Sequence, residues 1–373
     1  MNTKQISPNI SDKHVMPIGK KRVFVGLSGG VDSAVSAAIL KSEGYDVTGV
    51  FIKAWQPDWL PCSWREERRD AMKVALALDI PFLFFDLEKE YKKGVVDKML
   101  AEYRANRTPN PDVLCNREVK FGAFWEKVKS LGADYIATGH YARNELGIKN
   151  NELREGRDKE KDQSYFLWTL TPEDLSHVLF PVGGLKKSKV RKLARKYKLP
   201  VAEKKDSQGI CFLGDVNVEE FLSHYIEAGL PAGRQGKVLN TKGEIIGSHR
   251  GTAFYTIGER HGFEVIKKGN SSGPFYIVAK DFEKNTLIVS DKKIEILKMS
   301  PKKIALANIN LLEEPKGDIR ARIRYRGEKI PVKVSSNKVE FFEPVRGLSL
   351  GQSIVFYDGE HCLGGAVMDK ILE

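Results

Sequence analysis

Between positions 22 and 140 the chain alternates short apolar runs with amphipathic stretches of helical length, an order that few folds accommodate. Arg22–Leu27, Asp46–Trp55, Pro81–Leu87 and Asp134–His140 are short and carry the β-branched and aromatic residues of strands. Asp32–Glu43 puts Ala34, Val35, Ala38 and Ile39 on one face and stops at Gly44, as a helix does. Arg65–Asp79, Glu90–Asn106 and a segment ending near Gly132 have the same texture. Strands separated by helices of this length pair in parallel, and a parallel sheet must be covered on both faces.

The texture changes further on. Asn144–Lys161 is polar and highly charged, which predicts a surface loop, and Leu185–Lys198 predicts a basic amphipathic helix. After about Arg234 short alternating runs broken by glycine predict strands at Ala253–Ile257, Pro274–Ala279, Thr286–Ser290, Ile319–Tyr325, Ile330–Val334 and Ser353–Tyr357. Asp358-Gly359 predicts a hairpin turn leading into His361–Leu363. A chain of 373 residues exceeds one ordinary core. We expect a disordered tail over 1–20, an α/β domain over 21–215, a central β-rich domain over 216–283 and a C-terminal β-barrel over 284–373. Within the first domain, 178–201 is expected to pack on the central one.

Several classes are disfavoured. No apolar run approaches the roughly 18 residues of a membrane span, and the polar N-terminus lacks the apolar core of a secretory leader. The four cysteines, Cys62, Cys115, Cys211 and Cys362, include no C-x-x-C pair, which argues against a disulfide framework and a zinc site. A cytoplasmic protein with reduced thiols, no protein-bound metal and no membrane association is expected. Lys and Arg exceed Asp and Glu by 61 to 49, a net charge of +12 that favours a polyanionic partner.

Gly26-Leu27-Ser28-Gly29-Gly30-Val31-Asp32-Ser33 joins the first strand to the first helix. Gly29 and Gly30 let backbone N–H groups approach a polyphosphate, the helix N-terminus adds partial positive charge, and Ser28 and Ser33 can donate hydroxyls. No lysine follows as in a Walker A loop, and the spacing is not that of a dinucleotide fingerprint. A Gly-Gly pair alone would equally make an ordinary tight turn, with Asp32 favourable at the helix start.

Two cysteines have distinctive surroundings. In Arg107-Thr108-Pro109-Asn110-Pro111-Asp112-Val113-Leu114-Cys115-Asn116 the prolines hold the chain extended, and Asp112 is placed to cap a helix. Cys115 would then lie in a first helical turn, where the dipole favours the thiolate. Cys211 lies in Lys205-Asp206-Ser207-Gln208-Gly209-Ile210-Cys211-Phe212-Leu213-Gly214, flanked by glycines. Taken singly, each is also compatible with a packed core cysteine, as Cys62 and Cys362 are read.

The S-G-G-x-D-S loop resembles that of the PP-loop ATP pyrophosphatases, which implies a Rossmann-like sheet of the PP-loop/HUP type and adenylation by ATP with release of pyrophosphate. With T-P-N-P-D-x-L-C-N and K-D-S-x-G-I-C-F in the same order, the chain from about Val23 onward resembles the tRNA-specific 2-thiouridylases. Thr138-Gly139-His140-Tyr141, Lys161–Leu167 and Tyr255-Thr256-Ile257-Gly258 extend the likeness.

That resemblance implies that residues 26–33 hold ATP, with Ile52 beside the adenine and Gly139 at a strand end. Cys211 would carry sulfur as a persulfide, with Cys115 as the resolving thiol and Asp112 assisting proton transfer at the base. Asn110, Pro111, Asp112, His140, Lys161, Asp162, Gln163, Arg324, Tyr325 and Gln352 would contact tRNA. Mg²⁺ would travel on ATP, and a relay protein or a cysteine desulfurase would donate sulfur to a monomeric enzyme. The residues add one argument of their own: as a strand, Ile319–Arg326 would put four arginines on one face, a track for an RNA backbone.

Glu259 and His261 depart from the Gln and Lys usual in the family, so that loop is not assigned to RNA. Two other readings compete. A PP-loop amide-forming ligase would share the ATP loop and survive loss of either cysteine; an RNA-binding protein with an inactive loop would release no pyrophosphate.

Overall fold

The computed structural model describes residues 20–61, 64–147, 150–206, 209, 211–214, 218–225, 234–266 and 273–372. The expected tail, apart from Lys20, and Cys62, Ser207, Gln208 and Ile210 lie outside the described residues.

The first domain is built on a five-stranded parallel sheet. Its elements begin with β1 (Arg22–Gly26), α1 (Val31–Ser42), β2 (Asp46–Lys53), α2 (Trp64–Ala77) and β3 (Phe82–Asp86). Helix α3 (Glu88–Tyr91) runs through a π-helical turn at Lys92–Val96 into α4 (Asp97–Arg104). In the same way α5 (Pro111–Cys115) runs through π-helical Asn116–Ala123 into α6 (Phe124–Lys129), before β4 (Tyr135–Ala137).

Polar Asn144–Lys161, expected to be a loop, instead forms most of a hairpin of β5 (Ala142–Leu146) and β6 (Asn151–Glu155). Its second strand pairs Arg154 with His361 near the C-terminus, so its partner could not be read locally. After α7 (Pro172–His177), β7 (Val178–Leu179) joins the first sheet in the order β3-β2-β1-β4-β7. Val23, Val25 and Val50 are fully buried, as strands covered on both faces require.

Helix α8 (Lys187–Lys196) buries Val190 and Ala194 in the same cluster as Ala34, Ala38 and Val23. Residues 178–201 therefore pack on α1 and the first sheet, not on the central domain. The small side chains of α1 leave room for a second helix to lie close.

Helix α9 (Val218–Tyr225) places Phe221 against Trp59 and stacks His224 on the same indole at 4.0 Å. The central sheet follows, with β8 (Gly236–Leu239), β9 (Ile245–His249), β10 (Glu264–Val265), β11 (Tyr276–Asp281) and β12 (Thr286–Ser290), ordered β10-β9-β8-β12-β11. Strand β12 completes this sheet, so the boundary expected after residue 283 falls beyond Ser290. The strand expected at Ala253–Ile257 is a 3-10 turn and loop. Its backbone is satisfied by side chains: Asn285 accepts from Thr252 N, and Lys280 donates to Tyr255 O at 2.6 Å.

After α10 (Lys293–Lys298) come β13 (Lys303–Leu311), β14 (Arg320–Arg322), β15 (Ile330–Ser335), β16 (Lys338–Phe341), β17 (Ser353–Asp358) and β18 (His361–Ile371). They form a six-stranded antiparallel barrel closed by β13 against β18, and the hairpin β5–β6 continues its sheet outward from β18. The tight turn before β18 uses Gly359-Glu360, one residue later than expected, with Gly359 at φ +56°.

The arginine track is not present as a single face. Strand β14 ends at Arg322, whose guanidinium turns inward to Asp162 at 2.7 Å and Glu155 at 2.9 Å. Arg324 donates to Gly347 O, and Arg326 lies over the Tyr325 ring. The two carboxylates are buried, and Lys329 also pairs with Glu155 at 2.9 Å. Removing one partner of such a network strands the others in low dielectric. Arg322→Ala is therefore expected to lower the unfolding free energy by about 3–5 kcal/mol, whereas exposed Arg320→Ala should stay within about 0.5 kcal/mol; urea titration followed by fluorescence checks both.

Candidate active site

Leu27 leaves β1 with its N–H bonded to Val50 O at 2.8 Å, and the chain then turns into α1. Gly29 stands at φ +72°, and a Cβ there would fall 2.5 Å from Glu67 O, so only glycine fits. Gly30 is the N-cap of α1 with no side-chain capping bond. The helix start thus offers N–H groups to an anion. Ser28 and Ser33 face each other across the loop, Oγ to Oγ 3.2 Å. At the end of β4 Gly139 comes so close that a Cβ would sit 2.7 Å from Ser33 N. Val31 and Ile52 are buried, Ile52 in the core cluster that also holds Cys115. Asp32 does not face the loop freely: it accepts from Tyr141 Oη at 2.6 Å and from Lys187 Nζ at 2.7 and 2.8 Å.

Asn110, rather than Asp112, caps the short helix α5, accepting from Val113 N at 3.3 Å with Pro111 in the first turn. The extended segment before it is held by the barrel: Thr108 N donates to Leu350 O at 2.8 Å and Gln352 Nε2 to Pro109 O at 3.1 Å. Freed from capping, Asp112 accepts from Cys211 N at 3.2 Å. Tyr91 Oη donates to Cys211 O at 2.6 Å, and Gln56 Nε2 to Phe212 O at 3.2 Å. Phe212 takes φ +65°, an unusual conformation for a bulky residue.

These bonds bring Cys115 Sγ and Cys211 Sγ to 3.5 Å, both as free thiols. The expected ionisation of Cys115 is reversed. It lies fully buried at the end of α5, beyond the first turn, and burial pushes its pKa well up. Cys211 is the acidic member: the Cys115 thiol hydrogen-bonds it, outweighing burial, and with Lys120 brings it down to about 7. Lys120 lies five residues beyond Cys115 with its ammonium 5.7 Å from the Phe212 ring centroid. Burial opposes its charge, but Cys211, Cys115 and Asp112 outweigh that and raise its pKa. Burial also raises the Asp112 carboxyl, which suits it to hold a proton.

His140 is buried, with Nδ1 2.7 Å from Thr138 Oγ1 and its ring near Phe121 and Phe180. Burial, aided by Lys120, pushes its pKa well down, so the ring is neutral. Asp162 is a correction to the list of RNA contacts. It is 2% exposed and bonded to Gly156 N, Ser164 and Arg322, so its carboxylate faces the interior. Lys161 pairs with Asp206 at 2.8 Å, and Gln163 Oε1 accepts from Tyr141 N at 3.0 Å. Arg324 is exposed, and Tyr325 packs at 4.5 Å on Phe166. Cys362 is buried in the barrel with its thiol pushed up to about 12 by burial, an inert core residue as expected.

Lys120, Tyr91, Gln56 and Lys187 were not legible as site residues. Only Lys120 left a trace, its spacing from Cys115 along one helical stretch. Among the described residues no cluster of three or more His, Cys, Asp or Glu is arranged to hold a metal.

Fold and site together define an α/β domain with a glycine loop at an uncapped helix start and two free thiols in contact, followed by two β domains. Family models described as the tRNA methyl transferase HUP domain, the tRNA methyl transferase PRC-barrel domain and the aminomethyltransferase beta-barrel domain match residues 21–215, 219–291 and 301–368. The tRNA-specific 2-thiouridylase MnmA of Streptococcus thermophilus is 44% identical over 94% of this chain and 96% of its own length. That of Bacillus subtilis is 44% identical over 94% and 95%. Among solved structures, NMN synthetase from Francisella tularensis aligns with TM-score 0.33 and 19% identity, over 50% of this chain and 66% of that one. The chain belongs to the tRNA-specific 2-thiouridylase family.

The reversed acidity can be tested directly. Alkylation of Cys211 by iodoacetamide is expected to rise with pH through a midpoint of about 7, while Cys115 and Cys362 stay unmodified in the folded protein. Lys120→Met should shift that midpoint upward by about one unit. Peptide mass spectrometry across pH reads the outcome, and faster labelling of Cys115 would refute the assignment.

Proposed function

We propose that the chain is an ATP-dependent tRNA-uridine 2-sulfurtransferase acting on the anticodon wobble uridine, and that Cys211 and Cys115 carry the sulfur chemistry. The observation that supports this best is the 3.5 Å approach of the two sulfurs, one with a lowered pKa and one buried.

The chemical difficulty is that a carbonyl oxygen leaves poorly. The uridine O2 attacks the α-phosphorus of ATP, pyrophosphate departs into the glycine loop, and the carbon becomes bonded to an AMP leaving group. The uncapped start of α1 and the Ser28–Ser33 pair suit the departing anion. Mg²⁺ would ride on the phosphates. Asp32, the carboxylate within the loop segment, is already paired, and among the described residues no cluster is arranged to hold a metal.

Cys211, with its pKa brought to about 7, is suited to take a terminal sulfur from a persulfide donor. The resulting persulfide attacks C2 and AMP leaves with the oxygen. Cys115 then attacks Cys211 Sγ, the transferred sulfur stays on the base, and a Cys115–Cys211 disulfide forms for an external thiol to reduce. Closing that bond needs the sulfurs to move together by about 1.5 Å. Asp112 holds the Cys211 backbone and can carry the proton exchanged at the base. A base reaching this site must leave the anticodon stack, and neutral His140 with Asn110 and Pro111 would line its path. Exposed Arg324, with Tyr325 and Lys161, would contact the RNA backbone, while Gln352 and Gln163 hold the loops that face it. The sulfur donor is a relay protein or a cysteine desulfurase.

The family models speak of methyl transfer and the competing ligase of amide formation, but neither chemistry gives a use for two thiols in contact. Incubating tRNA with ATP, Mg²⁺ and a persulfide donor is expected to yield 2-thiouridine by nucleoside mass spectrometry. Cys115→Ser and Cys211→Ser should each abolish it, with tRNA-dependent pyrophosphate release persisting in Cys211→Ser because adenylation precedes sulfur attack. A methylated nucleoside, or thiolation without Cys211, would overturn the proposal.

A further inference from the structure

Asp32 sets an electrostatic problem at the glycine loop. It is the second residue of α1, where a carboxylate is favourable to the helix but repels a polyphosphate arriving at the same N–H groups. The local answer is Lys187. Its ammonium lies 2.7 and 2.8 Å from the two Asp32 oxygens, 2.8 Å from Asp206 Oδ1, and 5.8 Å from the Tyr141 ring centroid.

The placement of Lys187 is costly for its own helix. It opens α8, whose first turn holds no acidic residue, so a cation there works against the helix dipole. Its side chain is only 14% exposed, which adds desolvation. Asp158 offsets part of this by accepting from the Lys187 backbone N–H at 2.8 Å. Asp206 holds the ammonium from the other side, itself bound by Lys161 at 2.8 Å and Arg191 at 2.6 Å. Three cations on one carboxylate keep Asp206 ionised, so it holds Lys187 as a fixed charge.

We propose that Lys187 is a positioning residue for the nucleotide: it neutralises Asp32, so that the glycine loop accepts the polyphosphate of ATP, and Asp206 holds it there. The inference rests on the reading of this loop as the ATP site and names the residue that makes the site tolerable to an anion. A lysine serving only to clamp α8 onto α1 would change the stability of the fold and leave the affinity of the folded protein for the nucleotide unchanged.

The test is calorimetric binding of α,β-methylene ATP, with KM for ATP and for tRNA measured in the thiolation assay. Lys187→Met is expected to weaken analogue binding and raise KM for ATP by roughly tenfold to a hundredfold, leaving KM for tRNA within about twofold. Lys187→Arg should retain binding. The double variant Asp32→Asn with Lys187→Met should recover about tenfold or more in binding over Lys187→Met alone. Urea titration of both variants separates this from a recovery of stability, which is all a mere clamp would show. Unchanged binding in Lys187→Met, or no rescue in the double variant, overturns the proposal. If Lys187→Met fails to fold, the double variant compared with Asp32→Asn decides: a loss below about threefold supports neutralisation and a larger one refutes it. A wild-type protein that does not bind the analogue would instead sink the ATP reading itself.

Discussion

Two sulfurs 96 positions apart in sequence lie 3.5 Å from each other because the Cys211 turn is pinned from three directions. Tyr91, Gln56 and Asp112 each bond its backbone, and each comes from a different part of the first domain. The opposing wall is the helical stretch that carries Cys115 and widens into a π-helical segment directly after it, a departure often found where a helix serves a site. With that contact made, the division of labour between the thiols follows. The buried sulfur keeps its proton and lends it as a hydrogen bond, the other becomes acidic, and Lys120 stabilises the anion.

The barrel is part of this construction. Leu350 and Gln352 bond the segment leading to Asn110 and Asp112, and Arg322 joins β14 to Glu155 and Asp162 of the first domain. A domain that served only to grip RNA would need none of these bonds. Here it holds the loop whose carboxylate bonds the backbone of the acidic thiol.

Local pattern revealed most of the first sheet, because parallel strands buried on both faces leave uninterrupted apolar runs. The glycine loop and both cysteine segments were legible for a related reason: Gly29, Gly139 and the prolines answer backbone constraints that leave few substitutes. The errors share a different cause. The cap was assigned to Asp112 although Pro111 points to the residue before it, Asn110. The four arginines were counted as one face because sequence alternation says nothing about a buried carboxylate waiting at Asp162. Lys187 stood as one lysine among many in a basic helix, and only the tertiary approach of Asp32 and Asp206 distinguishes it. Polar Asn144–Lys161 looked like a loop since the strand it pairs with begins at His361.

That last pairing has a bearing on how the chain is made. The hairpin β5–β6 leaves the ribosome some two hundred residues before β18, and until β18 emerges the outer edge of β6 has no neighbour. Glu155 and Asp162 likewise wait for Arg322. The nascent first domain therefore carries an open strand edge through much of synthesis, although Lys159 already pairs with Glu155, and Gly156 and Ser164 already bond Asp162. That edge closes only when β18 pairs with β6, so the hairpin and the barrel are completed together.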